Sequence, residues 1–147
     1  MPTTVGTETQ IDKLLSHLVQ LEHDAIAAYE TTIERLDDAS KRSKIESFRQ
    51  DHTQHVEALK KHASELGVDL PESGDMKQWL TTGKVALADL GGDESILKAM
   101  KTNEDDTVQA YEQAAKNELA EGDLRATFEK ALSDERRHRE WMESQAH

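Results

Sequence analysis

The 147-residue sequence predicts an all-α protein, a bundle of four helices built as two antiparallel hairpins joined by a long crossover. Three observations predict it. Only two prolines and seven glycines interrupt a chain in which a third of the residues are charged, which suits long amphipathic helices and argues against a sandwich or barrel. Four segments repeat apolar residues in steps of three and four, the rhythm of a bundle seam. The two halves of the chain also match each other in the order and chemistry of their inward residues.

The first helix is expected over about 8–37. Thr7 and Gln10 stand at the spacing of a capping box, and Ile11, Leu14/Leu15, Leu18, Ala25, Tyr29, Ile33 and Leu36 form its apolar line. The second is expected over about 40–66, with Gly67 just past its end and an inward line of Ile45, Phe48, His52, His55, Leu59, His62 and Leu66. The third, over about 93–120, takes Asp93 as N-cap and turns Ile96/Leu97, Met100, Glu104, Val108 (or Thr107), Tyr111 and Ala115 inward. Gly122 ends it. Asp123 then caps the fourth, over about 123–145, whose inner face is Leu124, Phe128, Ala131, Glu135, His138 and Met142. Short loops make each pair a hairpin. The connection over 68–92 is different. It begins "VDLPESGD", closes on Gly91-Gly92 and holds a weaker, short helix in "MKQWLTTGKVALADL". At roughly 3.3 Å per extended residue it is long enough to cross the bundle, so residues 1–147 read as one domain.

Composition narrows the function. A net charge of −12 repels nucleic acid and anionic membranes. The absence of cysteine excludes disulfides, thiolate metal sites and a cysteine nucleophile. No apolar run approaches the ~20 residues that span a bilayer, and the first ten residues lack the basic and apolar regions of a signal peptide. A cytoplasmic protein is expected, with no nucleic-acid or membrane partner and a homodimer as the default assembly.

The internal repeat carries the chemistry. "EHDAIAAYE" (22–30) aligns with "EDDTVQAYE" (104–112), both fitting E-x-D-x-x-x-A-Y-E. "DHTQHVEAL" (51–59) aligns with "DERRHREWM" (134–142), both fitting D-x-x-x-H-x-E. The repeat places Glu22, His52, His55, Glu104, Glu135 and His138 on the inner faces, near the middle of the four helices. His52 and His55 are three apart, as are Glu135 and His138, so each pair shares a helical face. Buried unpaired carboxylates cost several kcal/mol each or stay protonated. A divalent cation removes that cost, and carboxylate oxygens with imidazole nitrogens suit iron, manganese or zinc. Without a metal, the same six residues would form a buried hydrogen-bonded network. Tyr29 and Tyr111 read as core tyrosines bonding across the bundle. His17 and His23 read as solvated flanking residues, and His62 as an ordinary bundle-end residue.

On these residues the chain resembles the ferritin-like superfamily of di-iron carboxylate proteins, including rubrerythrins and bacterioferritins. Their pattern is Glu on helix one, Glu-x-x-His on helix two, Glu on helix three and Glu-x-x-His on helix four. Glu22, Glu104 and Glu135-Arg136-Arg137-His138 match. His52-Thr53-Gln54-His55 matches at His55 but puts His52 where the family keeps a bridging glutamate. The resemblance implies two bound iron ions, with manganese or zinc as alternatives. It also implies a small oxidant, oxygen or peroxide, and ferroxidase or peroxide-reducing activity in metal or oxidative-stress handling. The alternative is a non-catalytic helical stress or structural protein with a degenerate or single-metal site. Asp51 offers itself in place of the missing glutamate but lies about 100° around the helix from His52. DNA protection of the miniferritin kind is disfavoured by the acidic charge.

Overall fold

The computed structural model describes residues 3–70 and 92–145. They form four helices: α1 (Ile11–Arg35), α2 (Ala39–Glu65), α3 (Asp93–Lys116) and α4 (Gly122–Gln145). α1 packs along α2 and α3 along α4, while α1–α3 and α2–α4 contacts close the bundle. This is the all-α four-helix bundle expected from the heptad-like seams. The crossover helix expected within 68–92 lies outside the described residues from 71 to 91.

The helix ends depart from expectation in instructive ways. The Thr7/Gln10 capping box does not form. Gln10 occupies the N-cap position without a side-chain cap bond, and the Thr7 hydroxyl donates to the Thr4 carbonyl. The chain before α1 is held elsewhere, on α3. Gln113 donates to the Thr3 and Val5 carbonyls, and Asn117 donates to those of Gly6 and Glu8. Val5 is wholly buried there. Gly6 lies so close that a Cβ would collide with the Ala110 carbonyl oxygen, and its φ of 102° favours glycine.

Asp93 is not an N-cap either. Gly92 takes that place, and the Asp93 carboxylate accepts from the backbone N–H groups of Asp37 and Asp38, tying the start of α3 to the α1–α2 turn. Asp38 caps α2 by accepting from the Lys41 N–H. Gly67, at φ 69°, follows the end of α2 as expected of a C′ glycine. α3 stops at Lys116, short of the expected 120, because Asn117 leaves the helical conformation as it reaches across to the N-terminal segment.

Two apolar clusters fill the bundle. One gathers Leu14, Leu18, Leu59, Val108, Leu124 and Phe128, with Tyr111. The other gathers Leu36, Ile45, Phe48, Leu97, Met100 and Met142, with Tyr29. Full burial of each large side chain is worth about 1.5–3 kcal/mol. Between the clusters, at mid-height on all four helices, lies a layer of buried polar side chains.

Candidate metal centre

The polar layer contains the six residues singled out by the repeat. Glu22, His52, Glu135 and His138 are fully buried, and Glu104 and His55 nearly so. Their placement follows from the seam. Each replaces one apolar step of its helix, so packing of the two clusters above and below fixes its direction.

The six converge as two overlapping groups. Glu22, His52, His55 and Glu135 form one; His52, Glu104, Glu135 and His138 form the other. Within each group, one ligand atom per residue lies within 4.8 Å of all the others. His52 and Glu135 belong to both. Such a donor set of carboxylate oxygens and imidazole nitrogens can hold a metal ion.

Both terminal histidines present Nδ1 to the layer and Nε2 to an aspartate. His55 Nδ1 lies 3.4 Å from Glu22 Oε1 and 3.3 Å from Glu135 Oε1, while its Nε2 lies 2.8 Å from Asp134 Oδ2. His138 Nδ1 lies 3.7 Å from Glu135 Oε2, while its Nε2 lies 2.8 Å from Asp51 Oδ2. The pairing is crossed. The aspartate of each D-x-x-x-H segment serves the histidine of the other. An Nε2–H given to a carboxylate orients the ring and aims Nδ1 at the layer, where a cation would take the place of any Nδ1 proton. Arg137 donates to both aspartates, at 2.8 Å to Asp51 and 3.1 Å to Asp134. Asp51 is therefore a partner of a ring on another helix, a different role from the replacement ligand that its own helix suggests. The repeated aspartate was the available signal.

The tyrosines are crossed in the same way, bonding across the bundle as expected. Tyr111 donates to Glu22 Oε1 at 2.9 Å, and Tyr29 donates to Glu104 Oε1. Burial and the neighbouring carboxylates raise both phenols well above their ordinary value, so they stay donors. Thr107, expected only as an alternative to Val108 on the inner face, bonds Glu104 Oε2 at 2.8 Å and Glu135 Oε2 at 2.9 Å. His62 bonds Thr127, and His17 bonds Glu8 at 2.6 Å.

Electrostatics are uneven across the layer. Burial opposes charge on Glu22, but the rings of His52 and His55 outweigh it and hold the carboxyl well below its usual range. Burial also opposes charge on His52, which Glu135 and Glu22 nevertheless raise well above its ordinary value. His55, against the effect of burial, is pushed up to about 12 by the charge of Glu22, its hydrogen bond to Asp134 and the nearness of Glu135. Burial and the charge of Glu135 push Glu104 up to about 7. Burial, with the charge on His52, pushes His138 down to about 4, although Glu104 pulls the other way.

The layer nonetheless leaves polar atoms without partners. Among the described residues three buried side-chain polar atoms make no hydrogen bond, and two of them are His52 Nε2 and Glu135 Oε1, one in each shared residue. Unpaired buried groups of this kind cost about 1–3 kcal/mol each. Both can serve as cation ligands. A cleft of about 530 Å³ between α2 and α4 reaches His55, Tyr111 and Asp134 from outside, past Lys61, His62 and Lys130.

Comparisons with known proteins give a family and a fold. The model of a family described as a domain of unknown function (DUF2383) matches residues 10–118, and the chain belongs to that family. No curated protein matches it. Among solved structures, it is similar to a conserved hypothetical protein, rv2844, from Mycobacterium tuberculosis. That likeness has a TM-score of 0.75 over 93% of this chain and 98% of the other, at 15% identity, and is a likeness of fold. Among the described residues no helix is long and apolar enough to cross a membrane.

Proposed function

We propose that this family member is a single-domain, ferritin-like metalloprotein whose buried layer holds two divalent ions and acts as an oxidoreductase. The observation that carries the reading is the pair of overlapping four-residue groups, drawn from all four helices, with Glu135 and His52 common to both. Iron is the first candidate, then manganese, with zinc as a redox-silent alternative. Glu22 and His55 would hold one ion, Glu104 and His138 the other. When bound, redox-active ions would supply electrons to oxygen or peroxide, giving ferroxidase or peroxide-reducing activity.

The chain's own groups support that chemistry. Asp134 and Asp51 orient the Nδ1 atoms of His55 and His138 inward. Tyr111 and Tyr29 hold one oxygen each of Glu22 and Glu104. The apolar clusters above and below keep bulk water out, and the α2–α4 cleft offers a small oxidant a way in.

A second reading, a non-catalytic bundle with a metal-free polar layer, is favoured by the bonds the layer makes to itself. Glu22 alone accepts from Tyr111 and lies against His52 and His55. Elemental analysis of protein purified from iron- and manganese-supplemented cells separates the two. Two ions per chain, lost in a Glu135→Ala/His138→Ala variant that remains helical, are expected from the first. A metal-free protein whose melting is indifferent to added metal and chelator belongs to the second.

A further inference from the structure

His52 stands where the resemblance calls for a bridging carboxylate, and its surroundings show how the exchange can be accommodated. The ring is wholly buried. Its Nδ1 faces the first group, 3.0 Å from Glu22 Oε2 and 3.5 Å from Glu135 Oε1. Its Nε2 faces the second, 3.5 Å from Glu104 Oε1, and makes no hydrogen bond. The rings of Tyr29 and His138, at centroid distances of 4.8 and 5.3 Å, flank it. Each group therefore meets a different nitrogen of one ring.

We propose that His52 is a shared ligand that serves the two ions through its two nitrogens, Nδ1 to the ion held by Glu22 and His55, Nε2 to the ion held by Glu104 and His138. The proposal rests on the metal reading above. A carboxylate oxygen can bridge two ions through one atom, whereas an imidazole nitrogen has a single lone pair. A neutral ring also has only one nitrogen free. Serving both ions requires the second N–H proton to leave to solvent as the second ion enters. Charge agrees with that step. Glu22, Glu104 and Glu135 supply three negative charges, against the four positive charges of two divalent ions. A deprotonated His52 supplies the fourth, and the buried layer closes near neutrality. The exchange of glutamate for histidine would then keep the two-ion capacity, with a separate donor nitrogen for each ion.

The probe is zinc alone, which is diamagnetic, added to the full chain carrying ¹⁵N-labelled histidine. Native mass spectrometry is expected to show two zinc ions per chain. Nitrogen NMR is expected to show both His52 nitrogens metal-bound and neither carrying a proton. His52→Gln assigns those signals by their loss. It should retain at most one ion, held at least tenfold more weakly, and His52→Glu should restore two. The wild-type spectrum decides even if a variant fails to fold. A protonated His52 nitrogen in the two-zinc form overturns the inference and leaves the two-ion reading standing; a single bound zinc overturns the inference and cuts that reading back to one ion. A chain that takes up no zinc overturns the inference too, and ends the metal reading as well if iron and manganese are refused.

Discussion

The two hairpins carry the same residues at matching places and hold them in opposite states. Glu22 and Glu104, Tyr29 and Tyr111, Asp51 and Asp134, and His55 and His138 are equivalent pairs, and their crossed hydrogen bonds are equivalent too. Yet Glu22 is held well below the usual carboxylate range while Glu104 is pushed up to about 7. His55 is pushed up to about 12 and His138 down to about 4. The cause is the pair that does not match. Where the second hairpin has Glu135, the first has His52, bonded to Glu22 at 3.0 Å. One ring in place of one carboxylate polarises a layer whose crossed bonds are otherwise matched in the two hairpins.

Removing each carboxylate in turn gives the largest expected effect. In the metal-free protein Glu22→Gln strips the counter-charge from two buried cationic rings. Breaking a buried ion pair on one side costs about 3–5 kcal/mol. Glu104→Gln removes a carboxyl that is largely protonated at pH 6 and repelled by Glu135, and should cost less than about 1 kcal/mol. Urea unfolding at pH 6 in the presence of chelator measures both. Equal losses would show that the two hairpins are electrostatically alike after all.

The pH dependence of the metal-free protein follows with its sign. Glu22 lies below its unfolded value of 4.5, so its contribution is present above that pH and is lost as pH falls through the acid range. Glu104, raised to about 7, stabilises below 4.5, and that contribution disappears as pH rises from 4.5 to 7. His138, lowered to about 4, does the reverse. The unfolded chain binds its proton up to 6.5, so stability grows as pH rises from about 4 to 6.5. Over most of that window Glu104 and His138 offset each other, and wild-type stability should be nearly flat. Glu104→Gln unmasks the histidine, and its stability should climb by roughly 3 kcal/mol across the same window. A variant curve as flat as the wild type would refute the assignment of opposite states.

The crossed aspartates give a smaller effect, seen in metal affinity. Asp134→Asn and Asp51→Asn each remove the partner that fixes a histidine ring, which typically weakens metal binding 10–100-fold. Asp134 is the more buried, and Lys130 and Arg137 also hold it, so its variant should show the greater loss. Isothermal titration with zinc reads the difference. An Asp51 variant that loses more would place the stronger support on the second hairpin instead.

Most of this layer was legible in the sequence, because the repeat aligned four segments at once. Glu22, His52, His55, Glu104, Glu135 and His138 all follow from seam steps. The role of Asp51 was not legible. Rotation about its own helix axis puts it on a different face from His52, but its partner is on α4, and no single-helix argument measures that distance. Thr7 failed as a capping residue for a similar reason. The contacts of the N-terminal segment with Gln113 and Asn117 are separated from it by more than a hundred residues and leave no local trace.

Thr107 marks the smallest asymmetry and the last to be tested. Its equivalent in the first hairpin is Ala25, so only the second hairpin places a hydroxyl between two carboxylates. The hydroxyl has one proton. It donates to one of Glu104 Oε2 and Glu135 Oε2, and can accept from the other only when that carboxyl is protonated, as the raised value of Glu104 allows. Thr107→Ala leaves two buried oxygens without this partner and should cost about 1 kcal/mol in the metal-free protein. Thr107→Ser keeps the hydroxyl and should recover most of that loss in urea unfolding. If serine and alanine cost the same, the methyl contact and not the bond is what Thr107 supplies, and the two hairpins differ at His52 alone.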